Sequence, residues 1–308
     1  MTHNIETKPM EPARAKAGIQ LDRVLFATDF SLVAGAAFVY AAKIAERYHA
    51  TLDVVHVIDL EPFNLTESES SRTIINQAHE QAELKLNRLT KTQPLSDASC
   101  ETLVAEGTVA EVLTDLLRRR HSDLVVLGTH GRRALKKLLL GSIAEEVLRM
   151  AQCPVLTVGP QAGTAPANVE LRHVLYLLRF EPDSSEAATY AVSLAERFAA
   201  NLTVMNVSEG VPSSAAREEK QQGIIEPFKY WIENHVPEDS DLRGRVRFER
   251  GFGSAAEAIL SFASQVGVDL IVMPVNRVDP VIAAHLPIPG SVYELITRAH
   301  CPVLTIRE

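Results

Sequence analysis

The chain has 308 residues, more than one ordinary domain needs and enough for two of about 150 each. Its 46% hydrophobic and 23% charged residues are those of a globular protein, and a net charge of −8 argues against a general nucleic-acid binder. No apolar run is long enough to span a membrane, and Cys100, Cys153 and Cys301 make neither a zinc pattern nor a disulfide framework, so a reduced cytoplasmic chain is expected, with no membrane or nucleic-acid partner.

In chain order, residues 1–20 are polar and proline-containing and read as a disordered lead. RVLFAT (23–28) is a short apolar run, the pattern of a strand buried in a parallel sheet. A helix is predicted from Leu32 to His49, a strand over 51–58, and a long helix from Ser68 to Gln93 with Ile75, Ala78, Ala82, Leu86 and Leu89 on one face. A strand (101–106), a helix (109–120), a strand (123–128), a helix from Ser142 and a strand (154–159) follow. The order βαβαβαβαβ implies an open parallel five-stranded sheet with helices on both faces.

The pattern then repeats. IAERYHATLDV (44–54) and LAERFAANLTV (194–204) share six of eleven residues, CPVLTV (153–158) matches CPVLTI (301–306), and DLVVL (123–127) matches DLIVM (269–273). GTVAEVL (107–113) and Gly141-Ser142 have counterparts in GSAAEAI (253–259) and Gly290-Ser291, in the same order. The chain is therefore read as a first domain (21–160), a linker (161–170) and a second domain (171–308), an α/β protein with two such sheets.

In an open α/β sheet ligands sit beyond the carboxyl ends of the strands, where the strand order reverses. Asp29 follows the first strand and Gly128 ends the fourth; if those strands are neighbours, the two face one crevice. Glycines there let backbone N–H groups approach an anion, and Gly141-Ser142 opens a helix whose first turn favours a phosphate. Ser142 is also a natural N-cap, and Arg132, Arg133, Lys136 and Lys137 add positive charge.

The spacing Gly128-x2-Gly131-x9-Gly141-Ser142, after DLVVLG and before CPVLTV, resembles the ATP-binding signature of the universal stress protein family, and VLFATDFS (24–31) resembles that family's first strand. The resemblance covers about nine-tenths of the chain and is to tandem members with two domains. It implies an adenine-nucleotide alpha-hydrolase-like fold and ATP as ligand, with Mg²⁺ or Mn²⁺ held through the phosphates. Asp29 would contact the adenine or ribose, with Ala27, Thr28 and Val57 around the base. Gly128, His130, Gly131 and Arg132 would wrap the ribose and phosphates, and Gly141, Ser142 and Ile143 would hold the outer phosphates.

The second copy departs from this pattern. Pro274 stands at the place of Gly128, Arg277 at that of Gly131 and Arg179 at that of Asp29, and twelve residues rather than nine precede the Gly-Ser pair. Proline has no N–H to give, so this copy is expected to bind ATP poorly or not at all, and to serve as a structural partner. The CPVL strand would lie at the edge of its sheet, and an apolar edge needs a cover. The two copies are therefore expected to pair their last strands antiparallel, as single-domain relatives do when they dimerise; a homodimer of the whole chain stays open.

No GxSxG, HExxH or Cys–His setting occurs, and the histidines, His56 among them, are scattered. The leading expectation is a stress protein that binds ATP as ligand or switch. A slow ATP hydrolase or adenylyl-transfer enzyme and a nucleotide-free scaffold are the alternatives.

Overall fold

The computed structural model describes residues 18–60, 69–92, 99–129, 140–162, 170–178, 185–208, 225–276 and 288–308. The first half comprises β1 (Arg23–Ala27), α1 (Leu32–Tyr48), β2 (Thr51–Ile58), α2 (Glu69–Thr90), β3 (Cys100–Glu106), α3 (Val109–Arg119), β4 (Leu124–Gly128), α4 (Ser142–Met150) and β5 (Val155–Val158). The second half repeats the order with β6 (His173–Leu177), α5 (Ser185–Arg197), β7 (Asn201–Ser208), α6 (Ile225–His235), β8 (Val246–Phe252), α7 (Ala255–Val266), β9 (Leu270–Val275), α8 (Gly290–Arg298) and β10 (Val303–Arg307).

The strands stand in the order β3-β2-β1-β4-β5-β10-β9-β6-β7-β8. Within each half every pairing is parallel, while β10 runs antiparallel to β5, with Val303 opposite Thr157 and Leu304 opposite Leu156. Helices cover both faces of this sheet. One core packs α1 and α5 on Phe26, Val126, Tyr176 and Val272; the other packs α3, α4, α7 and α8 on Leu25, Val125, Leu175 and Ile271. Buried strands read as continuous apolar runs because both faces are covered.

The first strand of each half is anchored in the same way. One carboxylate oxygen of Asp123 accepts from the N–H groups of Asp22 and Arg23 at 2.8 and 2.9 Å. Asp269 does the same for Arg172 and His173, at the same two distances. The Asp that opens each DLVVL-type run thus ties the start of the fourth strand to that of the first. On α2, Ala82 and Leu86 are buried and Ile75, Ala78 and Leu89 half-buried, so this stripe faces the sheet. No helix among the described residues is long and apolar enough to cross a membrane.

The two halves meet through reciprocal contacts. The Thr157 hydroxyl donates to the Val303 carbonyl, and the Thr305 hydroxyl to that of Val155. The Arg47 guanidinium lies over the Phe198 ring at 5.5 Å, and Arg197 lies over Tyr48 at 5.2 Å. Each contact is thus matched by a second in which both members are replaced by their repeat counterparts, which is the signature of an isologous contact.

Candidate functional site

β1 and β4 are neighbours, so the chain reverses direction across the sheet between them and opens a crevice at their carboxyl ends. A pocket of about 650 Å³ occupies it. Ala27, Val55, Val57, Leu113 and Leu127 make an apolar wall, suited to a flat ring. Thr28, Asp29 and Phe30 border it from the end of β1, Gly128 and Thr129 from the end of β4, and Gly141, Ser142 and Ile143 from the start of α4.

Of the residues singled out from the sequence, Ala27, Thr28, Asp29, Val57, Gly128, Gly141, Ser142 and Ile143 therefore lie around one cavity. His130, Gly131 and Arg132, with Arg133, Lys136 and Lys137, fall outside the described residues, as do Arg179 and Arg277 of the second half.

The turn after β1 is built by side-chain acceptors. The Thr28 hydroxyl accepts from the Phe30 N–H at 3.0 Å, and the Asp29 carboxylate accepts from the Ser31 N–H at 2.9 Å. Phe30 takes a left-handed conformation, with φ 61°. Ser31 then caps α1, its hydroxyl accepting from the Ala34 N–H at 3.1 Å. This chain of short-range bonds fixes Asp29 at the rim of the pocket.

His56 and Lys85 also line the cavity, each against the Phe30 ring. His56 bonds the Thr28 carbonyl at 2.7 Å; since a carbonyl only accepts, Nδ1 carries the proton. Its ring meets Phe30 at 4.5 Å, and the Lys85 ammonium, from α2, lies over the Phe30 ring at 5.5 Å. A clue to His56 lay in the repeat. Asn206, 150 residues on, donates to the Leu178 carbonyl at 3.1 Å, so both halves latch the end of their first strand with a side-chain N–H from the second. Phe30 likewise has a sequence counterpart 150 residues on, Phe180, whereas no repeated motif marked Lys85.

Two readings from the sequence need correction. Ser142 is not the N-cap of α4; Gly141 is, with no side-chain cap bond, and Ser142 is the first helical residue. Nor are the glycines explained by an anion alone. A Cβ on Gly128 would stand 3.1 Å from the Ala34 nitrogen, and one on Gly141 would stand 2.9 Å from the Thr129 oxygen. Gly128 lets β4 end against the first turn of α1, and Gly141 lets its N–H reach the Thr129 carbonyl at 2.7 Å. Close packing thus already calls for glycine at Gly141 and leaves little room for a side chain at Gly128, and a bulky residue at Gly141 would disturb the fold as well as the pocket.

The same close packing exposes the first turn of α4 to the cavity without a cap from Gly141, so its N–H groups and helix dipole favour an anion there. Among the described residues no group of three or more His, Cys, Asp or Glu is placed to hold a metal ion.

In the second half, register identifies the counterparts. Gly128 pairs with Val158 on β5, and Pro274 with Ile306 on β10. Proline thus stands where β4 ends in glycine. α8 starts at Gly290 with Pro289 as its N-cap, and a Cβ on Gly290 would meet nothing within 4 Å. The close approach that governs Gly141 is absent at its repeat partner.

The model of the universal stress protein family matches residues 20–159 and again 170–307. The chain belongs to the universal stress protein family. It is a tandem member, with one family unit in each half. A universal stress protein of Methanocaldococcus jannaschii is 31% identical over 137 residues, covering 44% of this chain and 81% of that one. The universal stress protein A homolog 1 of Coxiella burnetii is 36% identical over 121 residues, covering 38% and 82%. The crystal structure of a universal stress protein from Archaeoglobus fulgidus superposes with a TM-score of 0.70 at 18% identity, over 94% of this chain and 99% of that one. At that identity the likeness establishes the fold, and it extends over both units of this universal stress protein.

Proposed function

We propose that the first half of this universal stress protein binds ATP in the crevice between β1 and β4, and that the second half acts as its structural partner. The observation that carries the reading is the pairing of opposite ends in one cavity. An apolar wall and the Asp29 turn suit a base and ribose, and the uncapped first turn of α4 suits phosphate. Gly141, Ser142 and Ile143 would hold the outer phosphates, with Gly128 beside the ribose. Mg²⁺ or Mn²⁺ would enter on the phosphates and neutralise their charge.

In the second half Pro274 removes an N–H at the place of Gly128, so that half is assigned no nucleotide. Its part is to cover the apolar edge of β5 with β10, which leaves the paired last strands in the middle of a sheet rather than at an edge.

Denaturing the purified protein and separating the released small molecules tests this. ATP in the supernatant, lost in Asp29→Ala, is the expected result. ADP alone would favour a slow hydrolase, and no nucleotide would favour a scaffold.

A further inference from the structure

Two contacts from the second half hold α4, the helix whose start borders the pocket. At that start the phenolic oxygen of Tyr293, on α8, accepts from the backbone N–H of Leu140 at 3.1 Å. Leu140 directly precedes Gly141, and its side chain is buried in the core shared with Tyr293. At the other end the Arg307 guanidinium donates to the Leu148 carbonyl, in the last turn of α4 where carbonyls lack intrahelical partners. Tyr293 is not among the residues that line the pocket.

The bond runs one way only. Counted from the Gly-Ser pairs, the repeat partner of Tyr293 is Ala144, which has no hydroxyl, and that of Leu140 is Pro289, which has no N–H. Reciprocity governs the strand contacts between the halves, but here the second half reaches into the first without return. It does so at the residue before the turn that would face phosphate.

We propose that Tyr293 is a positioning residue for the anion end of the pocket. By fixing the Leu140 N–H it sets where Gly141 and the first-turn amides of α4 stand, and so tunes the affinity of the first half for phosphate from a domain that does not line the site. The inference rests on the nucleotide reading given above. Because coupling is reciprocal, an anion held on that turn in turn strengthens the contact between the halves.

The test is calorimetric titration of the full chain, wild type and Tyr293→Phe, with ATP and with adenosine. Phenylalanine keeps the ring that packs in the core and removes only the acceptor. Loss of one such hydrogen bond is expected to weaken ATP binding about three- to tenfold, with adenosine affinity unchanged. Equal losses for both ligands would mark a general structural role, and no loss for either would mark an inert contact; both overturn the proposal. Wild-type protein that binds neither ligand would overturn the nucleotide reading and this inference with it. Wild-type binding with ATP affinity unchanged in the variant would overturn the positioning role alone.

Discussion

Asp53 shows how a single residue separates the two copies. The residue is 1% exposed, and Arg23 donates to its carboxylate at 2.7 Å and Arg120 at 2.9 Å, while Arg120 also reaches Glu101 at 2.6 Å. At the matching register position in the second half stands Thr203, whose hydroxyl bonds His173 at 2.8 Å. The same place in the sheet is filled by an ion cluster in one half and a neutral pair in the other. Breaking the cluster leaves two guanidinium groups facing a buried neutral amide. Asp53→Asn should therefore cost about 2 kcal/mol, the scale of hydrogen bonds to charged groups, moderated because both arginines keep some contact with water. Urea unfolding of the variant against wild type measures it; a change within error would mean that the cluster is energetically neutral.

At the scale of an element, α6 carries a pH dependence. Trp231 is buried on it, and His235 stacks on Trp231 at 4.8 Å and donates from Nδ1 to the Trp231 carbonyl at 2.9 Å. Burial lowers the pKa of His235 below its ordinary 6.5, against the smaller opposing pull of that carbonyl. Burial likewise lowers that of His173, on β6, with Asp269 opposing and Arg247 assisting. In the unfolded chain both histidines take up protons near 6.5, while in the folded chain they resist until a lower pH. Stability is therefore full above 6.5 and falls as the pH drops from there toward the folded values. Unfolding midpoints measured between pH 7.5 and 5 should decline for wild type and decline less for a His173→Gln, His235→Gln double variant. Parallel profiles would place the acid sensitivity elsewhere.

At the scale of the molecule, the two halves are alike in strand order and unlike at the carboxyl ends of their strands. The anchoring aspartates, the side-chain latches on the first strand and the crossed Arg–aromatic contacts all recur. What does not recur is Gly128, replaced by Pro274, and the tight seat of Gly141. Titration of the intact chain with ATP should accordingly saturate at one nucleotide per chain. Saturation at two would show that the second half binds as well, and would remove the reason for assigning it a partner's role.

The sequence alone determined the duplication, the βαβαβαβαβ order and, within a residue or two, the ends of the first-half strands, because apolar runs, helical periodicity and repeated motifs are local signals. It also pointed to Asp29, Gly128, Gly141 and Ser142, which follow strand ends or open a helix and border one cavity, while Ala27, Thr28, Val57 and Ile143 came from the resemblance to the universal stress protein family. Only the tertiary structure decided which glycines are forced by packing, because that depends on how near Val33, Ala34 and the Thr129 carbonyl come in space. It alone also brought His56, Phe30 and Lys85 to the pocket and Tyr293 to Leu140, contacts between segments far apart in the chain or, for Phe30, set by a left-handed turn. Pattern along the chain carries the period of an element; it does not carry the distance between two elements once they pack.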